Sequence, residues 1–254
     1  MLVGINYRGS KNELNGCIND VVRMESFLRN KCGYTDITVL TDDTPKKPTM
    51  MNIMDSLSDV IVKIRENNIK ELFFHYSGHG TYIRDANGDE MDGNDEAIVP
   101  IDVDKSGLIV DDLLYMYINK IPATCKCIFV FDSCHSGSVL DLKYRYYGTK
   151  TRVVENNRAV TPANIVMISG CRDNQTSADA FITGKWSGAM TASLLYCLES
   201  NRYNVTCFSL LESMKQYLLR NGYDQVPQMC SSFDILNGTM FCMSNADTFL
   251  KVSQ

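Results

Sequence analysis

Two hydrophobic periods alternate along this chain. Short apolar runs with strand character fall at Leu2–Tyr7, Ile37–Leu40, Leu72–Tyr76, Ala97–Pro100, Cys127–Phe131, Ile165–Ser169 and Thr239–Met243. Between them, apolar residues recur at helical spacing. One helix is expected over Leu14–Lys31, with Val21, Met24, Phe27 and Leu28 on one face. A second runs from a Thr49 cap to about Glu66, with Ile53, Leu57, Val60, Ile61 and Ile64 inward. Further helices are expected at Val110–Ile118, Ser187–Leu198 and Cys207–Arg220. Alternation of this kind predicts an α/β fold: a mainly parallel sheet with helices on both faces, and functional groups just past the carboxyl ends of the strands. Two segments break the pattern. Asp85–Glu96 is acidic and punctuated by glycine, and Lys143–Arg158 is polar and basic, which predicts an exposed loop.

Composition narrows the class without changing the architecture. With 254 residues, 44% hydrophobic and 22% charged, the chain can bury one sizeable core, and a single domain over 1–254 is expected. The net charge of −5 and the lack of a basic block argue against nucleic acid as a partner. No apolar run approaches the ~20 residues of a membrane span, and the strand-like LVGINY after Met1 does not read as a signal peptide. No membrane partner is expected, and the ten cysteines then read as reduced thiols of a cytoplasmic protein. Cys125 and Cys127 do not have CxxC spacing, and no second Cys/His pair completes a zinc site. The N-x-T sequons at Asn174, Asn204 and Asn237 are accidental in that setting.

The chemistry sits at two strand ends. Leu72–Tyr76 runs into HYSGHG (His75–Gly80), and Cys127–Phe131 runs into DSCHSG (Asp132–Gly137). A cysteine peptidase needs a thiolate, a base within reach and donors for the tetrahedral oxyanion. Cys134 and His79 supply the first two, and the backbone N–H groups of Gly80 and Cys134 are candidates for the third. A lone His or Cys is usually structural, but here each occupies a Gly/Ser-flanked strand exit. His75 lies inside the strand run and reads as structural. His135 follows the nucleophile directly and diverges from it on an extended segment.

These motifs resemble the metacaspases, specifically the type I-like catalytic domain in the caspase-related cysteine peptidase clan. Gly4–Tyr7, Gly16–Asp20, HYSGHG, Asp95–Asp102, DSCHSG and Ser169–Ala180 occur in the family's order. The resemblance implies a caspase-like three-layer α/β/α sandwich, a monomer, and cleavage of proteins or peptides after Arg or Lys. No proline-rich prodomain is expected ahead of these motifs. Local chemistry agrees with basic specificity: Asp132 stands two residues before Cys134 and Ser77 two before His79, so in extended chain each pair faces one way. A carboxylate there suits a guanidinium or ammonium and repels an Asp substrate. Cys17 and Asp20 match the other family positions lining this pocket. Asp20 has a competing reading as a charge at a helix N-terminus, and Asp132 as a cap for local N–H groups.

The resemblance also implies calcium activation, with Asp95, Asp111, Asp112 and Asp141 as ligands. The segment Asp85-x-Asn87-x-Asp89 with Glu96 is not an EF-hand, because Glu90 occupies the glycine position. The competing reading of Asp111 and Asp112 is the first turn of a helix, where acids are favoured without a metal. Asp173 reads as turn chemistry or a substrate contact, Cys171 as structural, and Trp186 as a pocket wall or packing. Lys143, Arg145, Lys150, Arg152 and Arg158 are candidate self-cleavage sites. Two other readings remain at this point: a catalytically silent caspase-like binding or scaffold module, and a true caspase with Asp preference.

Overall fold

The computed structural model describes residues 1–84, 93–134, 137, 139–147, 151–154, 156, 159–170, 179–182, 185–235, 240–242 and 250–251, with backbone only at 147, 151, 179–182, 185–186, 240–242 and 250–251. In chain order the elements are β1 (Leu2–Gly4), α1 (Cys17–Cys32), β2 (Val39–Thr41), α2 (Met50–Glu66), β3 (Glu71–Ser77), β4 (Gly80–Arg84), β5 (Asn94–Ile98), α3 (Val103–Ser106), β6 (Ile109–Val110), α4 (Asp111–Ile118), β7 (Lys126–Asp132), β8 (Tyr144–Tyr147), β9 (Thr151–Val154), β10 (Asn164–Ser169), β11 (Asp179–Ile182), β12 (Lys185–Gly188), α5 (Ala189–Ser200), β13 (Asn204–Thr206), α6 (Cys207–Arg220), β14 (Gln228–Ser231), β15 (Met240–Cys242) and β16 (Leu250–Lys251). None of the described helices is long and apolar enough to cross a membrane.

An eight-stranded sheet runs β2-β1-β3-β7-β10-β14-β8-β9. Its first five strands are parallel, and β14, β8 and β9 continue it antiparallel. The pleat divides each central strand between two cores. On one face Leu72, Phe74, Tyr76, Cys127, Phe129 and Phe131 pack with Ile53, Leu57, Ile61 and Ile64 of α2 and with Leu114 and Ile118 of α4. On the other, Phe73, Ile128 and Val130 pack with Val21, Met24 and Leu28 of α1, Met190 and Leu194 of α5, and Leu210 and Met214 of α6. The result is the expected three-layer α/β/α sandwich with a mainly parallel centre. Thr49 caps α2 as predicted: its hydroxyl accepts from the Asn52 N–H at 3.2 Å.

Several boundaries and one whole segment depart from the sequence reading. Strand β12 replaces the expected first turn of α5, because Gly188 ends the extended run and the helix starts at Ala189. The expected loop 143–158 is largely a hairpin: Tyr144–Tyr147 pairs with Thr151–Val154, and Tyr144–Tyr146 also pairs with β14. Arg145 and Tyr146 are buried there, and Arg152 forms an ion pair with Asp234. Charge hid the alternation; Arg145 and Arg152 belong to a sheet rather than to a solvated loop. Lys150 and Arg158 lie outside the described residues. Strands β4, β5, β6 and the short β13-β15-β16 sheet lie outside the main sheet.

The fully buried His75 shows how this core treats a titratable group. Its Nε2 lies 3.1 Å from the Thr191 hydroxyl, which ties β3 to α5. Burial pushes its imidazole down from about 6.5 to about 3. The unfolded chain therefore takes up this proton near pH 6.5 and the folded protein only near pH 3, so the stability present above pH 6.5 is lost as pH falls through that window. His75 is expected to contribute a slope of up to about 1.4 kcal/mol per pH unit there. Urea titrations between pH 7 and 3 should show a flatter decline for His75→Gln; parallel slopes would contradict this. Phe129, 1% exposed and 5.3 Å from the Phe74 ring, is expected to cost about 3–5 kcal/mol of unfolding free energy on truncation to Ala in the same assay.

Candidate active site

Strands β3 and β7 are adjacent and in register, so Ser77 pairs directly with Asp132. Both strands end there, and the Gly78 N–H donates to the Asp132 carbonyl at 3.3 Å, which ties the two exits together. His79 and Cys134 follow, each half-buried. The next turn brings them closer. A Cβ on Gly80 would lie 1.9 Å from the Cys134 carbonyl oxygen and 3.1 Å from the Ser133 Cβ. Only a residue without a side chain lets the base strand and the nucleophile loop meet this closely.

The imidazole of His79 is held from three sides. Its Nε2 lies 2.7 Å from the Asn12 carbonyl, which can only accept, so Nε2 carries the proton. The lone pair of the neutral ring is then on Nδ1, where a general base needs it. The Tyr7 ring stands 4.7 Å away, centroid to centroid. The Tyr7 hydroxyl accepts the His79 N–H at 2.9 Å and donates to the Val99 carbonyl at 2.6 Å, while the Tyr76 hydroxyl donates to the His79 carbonyl at 2.7 Å. Burial raises both phenols well above their ordinary range, and the neighbouring Tyr76 adds to the rise of Tyr7, so both remain neutral donors. Tyr7 itself adopts φ +52°, an uncommon conformation that sets its ring against His79.

The sheet alternation sends Ser77 and Asp132 to the α1 face, and Asp20 arrives there from the first turn of α1. Ser77 Oγ donates to Asp20 Oδ2 at 2.9 Å. Ser187 Oγ and the Gly188 N–H add to the same carboxylate, and the Thr191 N–H donates to Asp132 Oδ2 at 2.8 Å. Gly188 lies between the two acids: a Cβ there would stand 2.1 Å from Asp132 Oδ2 and 2.8 Å from Asp20 Oδ2. Asp20 and Asp132 are 0% and 3% exposed. Burial first, then the charge of Asp132, raises the Asp20 carboxyl well above the usual carboxylate range. Asp20 is a first-turn acid of α1, as its helix-terminus reading expects. Cys17 is buried on the same helix turn. Ser187, Gly188, Thr191 and Tyr7 were not singled out from the sequence; the SG pair before an apolar helix was the one signal available.

Of the four candidate calcium ligands, Asp95 lies in β5, Asp111 and Asp112 open α4, and Asp141 sits at φ +47°. Asp111 accepts the Glu96 N–H at 2.6 Å and the Asp112 N–H at 2.8 Å. Among the described residues no three His, Cys, Asp or Glu side chains converge as a metal group. The calls on Asp85, Asn87, Asp89, Glu90, His135, Cys171 and Asp173, and on the Trp186 side chain, lie outside the described residues.

A thiol and an imidazole at adjacent exits of a parallel sheet, inside an α/β/α sandwich, define the caspase-like class. Caspase-1 from Spodoptera frugiperda shares this fold at 14% identity, with a TM-score of 0.58 over 90% of this chain and 84% of its own. A protein from Geobacter sulfurreducens superposes with a TM-score of 0.65 at 26% identity, covering 91% and 92% of the two chains. Residues 1–143 match the family model for the metacaspase, peptidase C14 domain. Metacaspase-1 of Meyerozyma guilliermondii is 36% identical over 91% of this chain and 68% of its own length, and that of Schizosaccharomyces pombe 33% over 91% and 66%. This chain belongs to the metacaspase family of cysteine peptidases. It spans about two thirds of the length of these curated relatives.

The Gly80–Cys134 contact yields a direct test. In Gly80→Ala the new methyl group must push the nucleophile loop away, and peptidase activity is expected to fall by about a hundredfold or more. Near-normal kcat with an unshifted Tm would show that the close approach does not matter.

Proposed function

We propose that the chain is a calcium-dependent cysteine endopeptidase that cuts after Arg or Lys. The observation that carries the specificity is the pairing of Ser77 with Asp132, which sets two buried carboxylates, Asp132 and Asp20, beside the nucleophile's strand exit. The carboxylates of Asp132 and Asp20, with Ser77 and Cys17 beside them, favour a substrate cation and disfavour a substrate carboxylate, which argues against an Asp-directed caspase. In the reaction, His79 Nδ1 takes the Cys134 thiol proton while Sγ attacks the carbonyl carbon after the basic residue. The backbone N–H groups of Gly80 and Cys134 would receive the oxyanion. Collapse expels the amine, which takes the proton from His79, and leaves a thioester. Water, deprotonated by His79, then releases the acid and restores the thiol.

Calcium dependence rests on the carboxylates of Asp95, Asp111 and Asp141, which are 4%, 1% and 5% exposed. Carboxylates removed from water at this density are costly, and a divalent cation offsets that cost. Asp95, Asp111, Asp112 and Asp141 would hold it. The ion would supply the positive charge that draws together segments which do not yet converge, including the one around Asp141, just past the nucleophile loop.

Fluorogenic peptides ending in Arg, Lys or Asp, assayed with chelator and with added Ca²⁺, test the whole reading. Cleavage of the Arg and Lys peptides alone, and only with Ca²⁺, is the expected outcome. Equal rates in chelator would remove the calcium part, and hydrolysis of the Asp peptide would remove the specificity. Cys134→Ala and His79→Ala should each lower the rate by about a thousandfold or more.

A further inference from the structure

The loop from β1 to α1 holds His79 at two points: the ring and hydroxyl of Tyr7, and the Asn12 carbonyl. Both depend on the course the chain takes at residue 7. Tyr7 has φ +52°, a conformation that a bulky side chain rarely adopts and that persists only where its surroundings impose it. Asp42, in the turn after β2, meets the backbone on both sides of it. Oδ1 accepts the Asn6 N–H at 2.8 Å, and Oδ2 accepts the Arg8 N–H at 3.1 Å. N–H groups on either side of a left-handed residue converge on an anion, and here the anion is the protein's own carboxylate.

The turn that carries Asp42 is itself tied down. β1 and β2 run parallel with Gly4 opposite Thr41, so the chain enters the turn beside the start of the loop. The Thr41 N–H donates to the Thr44 hydroxyl at 2.8 Å, and the Thr44 N–H donates to the Thr41 carbonyl at 3.2 Å. Across from it, the Asn6 carbonyl accepts the Leu14 N–H at 2.7 Å, and the Asn6 side chain accepts the Ile18 N–H at 3.2 Å.

We propose that Asp42 is a positioning residue for the base: its carboxylate clamps the backbone on both sides of Tyr7, and Tyr7 in turn holds His79 in place for Cys134. This rests on the reading of His79 as the base of Cys134 and deepens it. The lever is long. The Tyr7 hydroxyl sits at the far end of the phenol, so a turn of the backbone at residue 7 carries it off both the His79 N–H and the Val99 carbonyl. The Asn12 carbonyl, further along the same loop, moves with it. Tyr7 packs on the α2 face, whereas the acids proposed to meet substrate lie on the α1 face. Loss of the clamp should therefore appear in kcat rather than KM.

The experiment uses the full chain in Ca²⁺ buffer with two readouts. One is kcat and KM for a peptide ending in Arg. The other is the rate at which iodoacetamide alkylates Cys134, followed by mass spectrometry of the fragment that holds it. Alkylation needs no substrate, so it reads the thiol and its base alone. In Asp42→Ala, kcat and the alkylation rate should each fall by about tenfold or more, with KM within about twofold of the parent. Asp42→Asn, which keeps one acceptor for the two N–H groups, should recover part of both. Tyr7→Phe keeps the ring, loses the hydroxyl and should lower kcat with KM unchanged. The double variant Asp42→Ala/Tyr7→Phe should lie within about twofold of Asp42→Ala, because both substitutions reach His79 by one route. Asp43→Asn, at the neighbouring acid paired with Arg8 on the surface, removes the same charge without touching the clamp and should match the parent.

An Asp42→Ala protein that melts like the parent and keeps its kcat would overturn the proposal. So would losses that multiply in the double variant, or an equal loss in Asp43→Asn. A His79→Ala protein that turns over and alkylates like the parent would instead remove the reading of His79 as the base, and the role of Asp42 with it. Thermal melts identify any unfolded variant; should Asp42→Ala not fold, Asp42→Asn takes its place in the same cycle with Tyr7→Phe.

Discussion

The pairing of Ser77 with Asp132 at the ends of two adjacent parallel strands is the constraint on which the site depends. Once β3 and β7 are in that register, the chain must leave the sheet at the same level twice. The Gly78 N–H then reaches the Asp132 carbonyl, and the base and the nucleophile emerge side by side. A slip by one residue would turn Asp132 to the α2 face and take the pocket apart. The aromatic run through Phe74, Phe129 and Phe131 prevents that slip, because each ring is buried on one face only.

Around this register the protein builds two kinds of order. On the α2 face the groups are phenols and amides: Tyr7 and Tyr76 bind His79 through its backbone, and the Asn12 carbonyl fixes its tautomer. None of these partners carries charge. On the α1 face the groups are buried carboxylates held by hydroxyls and N–H donors. The two faces meet at the nucleophile's strand exit.

The fold also shows how a three-layer sandwich accommodates buried ionisable groups when strand ends supply the partners. Asp20 is completely buried, yet two hydroxyls and one backbone N–H, shared by both its oxygens, satisfy it. His75 is buried as deeply and is kept neutral instead. These are two answers to one desolvation cost, and the difference lies in what the neighbouring helix offers: α1 brings a carboxylate to hydroxyls, whereas α5 brings the hydroxyl of Thr191 to an imidazole.

Sequence by itself determined the alternation of strands and helices, the three-layer class and the two strand exits, because period and apolar content are local properties that burial enforces at every position. It also marked Cys134, His79, Asp132, Asp20 and Ser77, through motifs whose glycines and polar residues have no place in a plain core. Only the tertiary structure decided which acids meet. Ser187 and Gly188 lie more than 160 residues from Asp20 along the chain, and no periodicity signals a contact closed by packing α1 against β12. The hairpin of β8 and β9 was hidden for a related reason: its basic residues read as a solvated loop until β14 supplied the neighbouring strand that buries Arg145 and Tyr146. Local sequence sets which side chains are available, while the register of distant strands sets which of them touch.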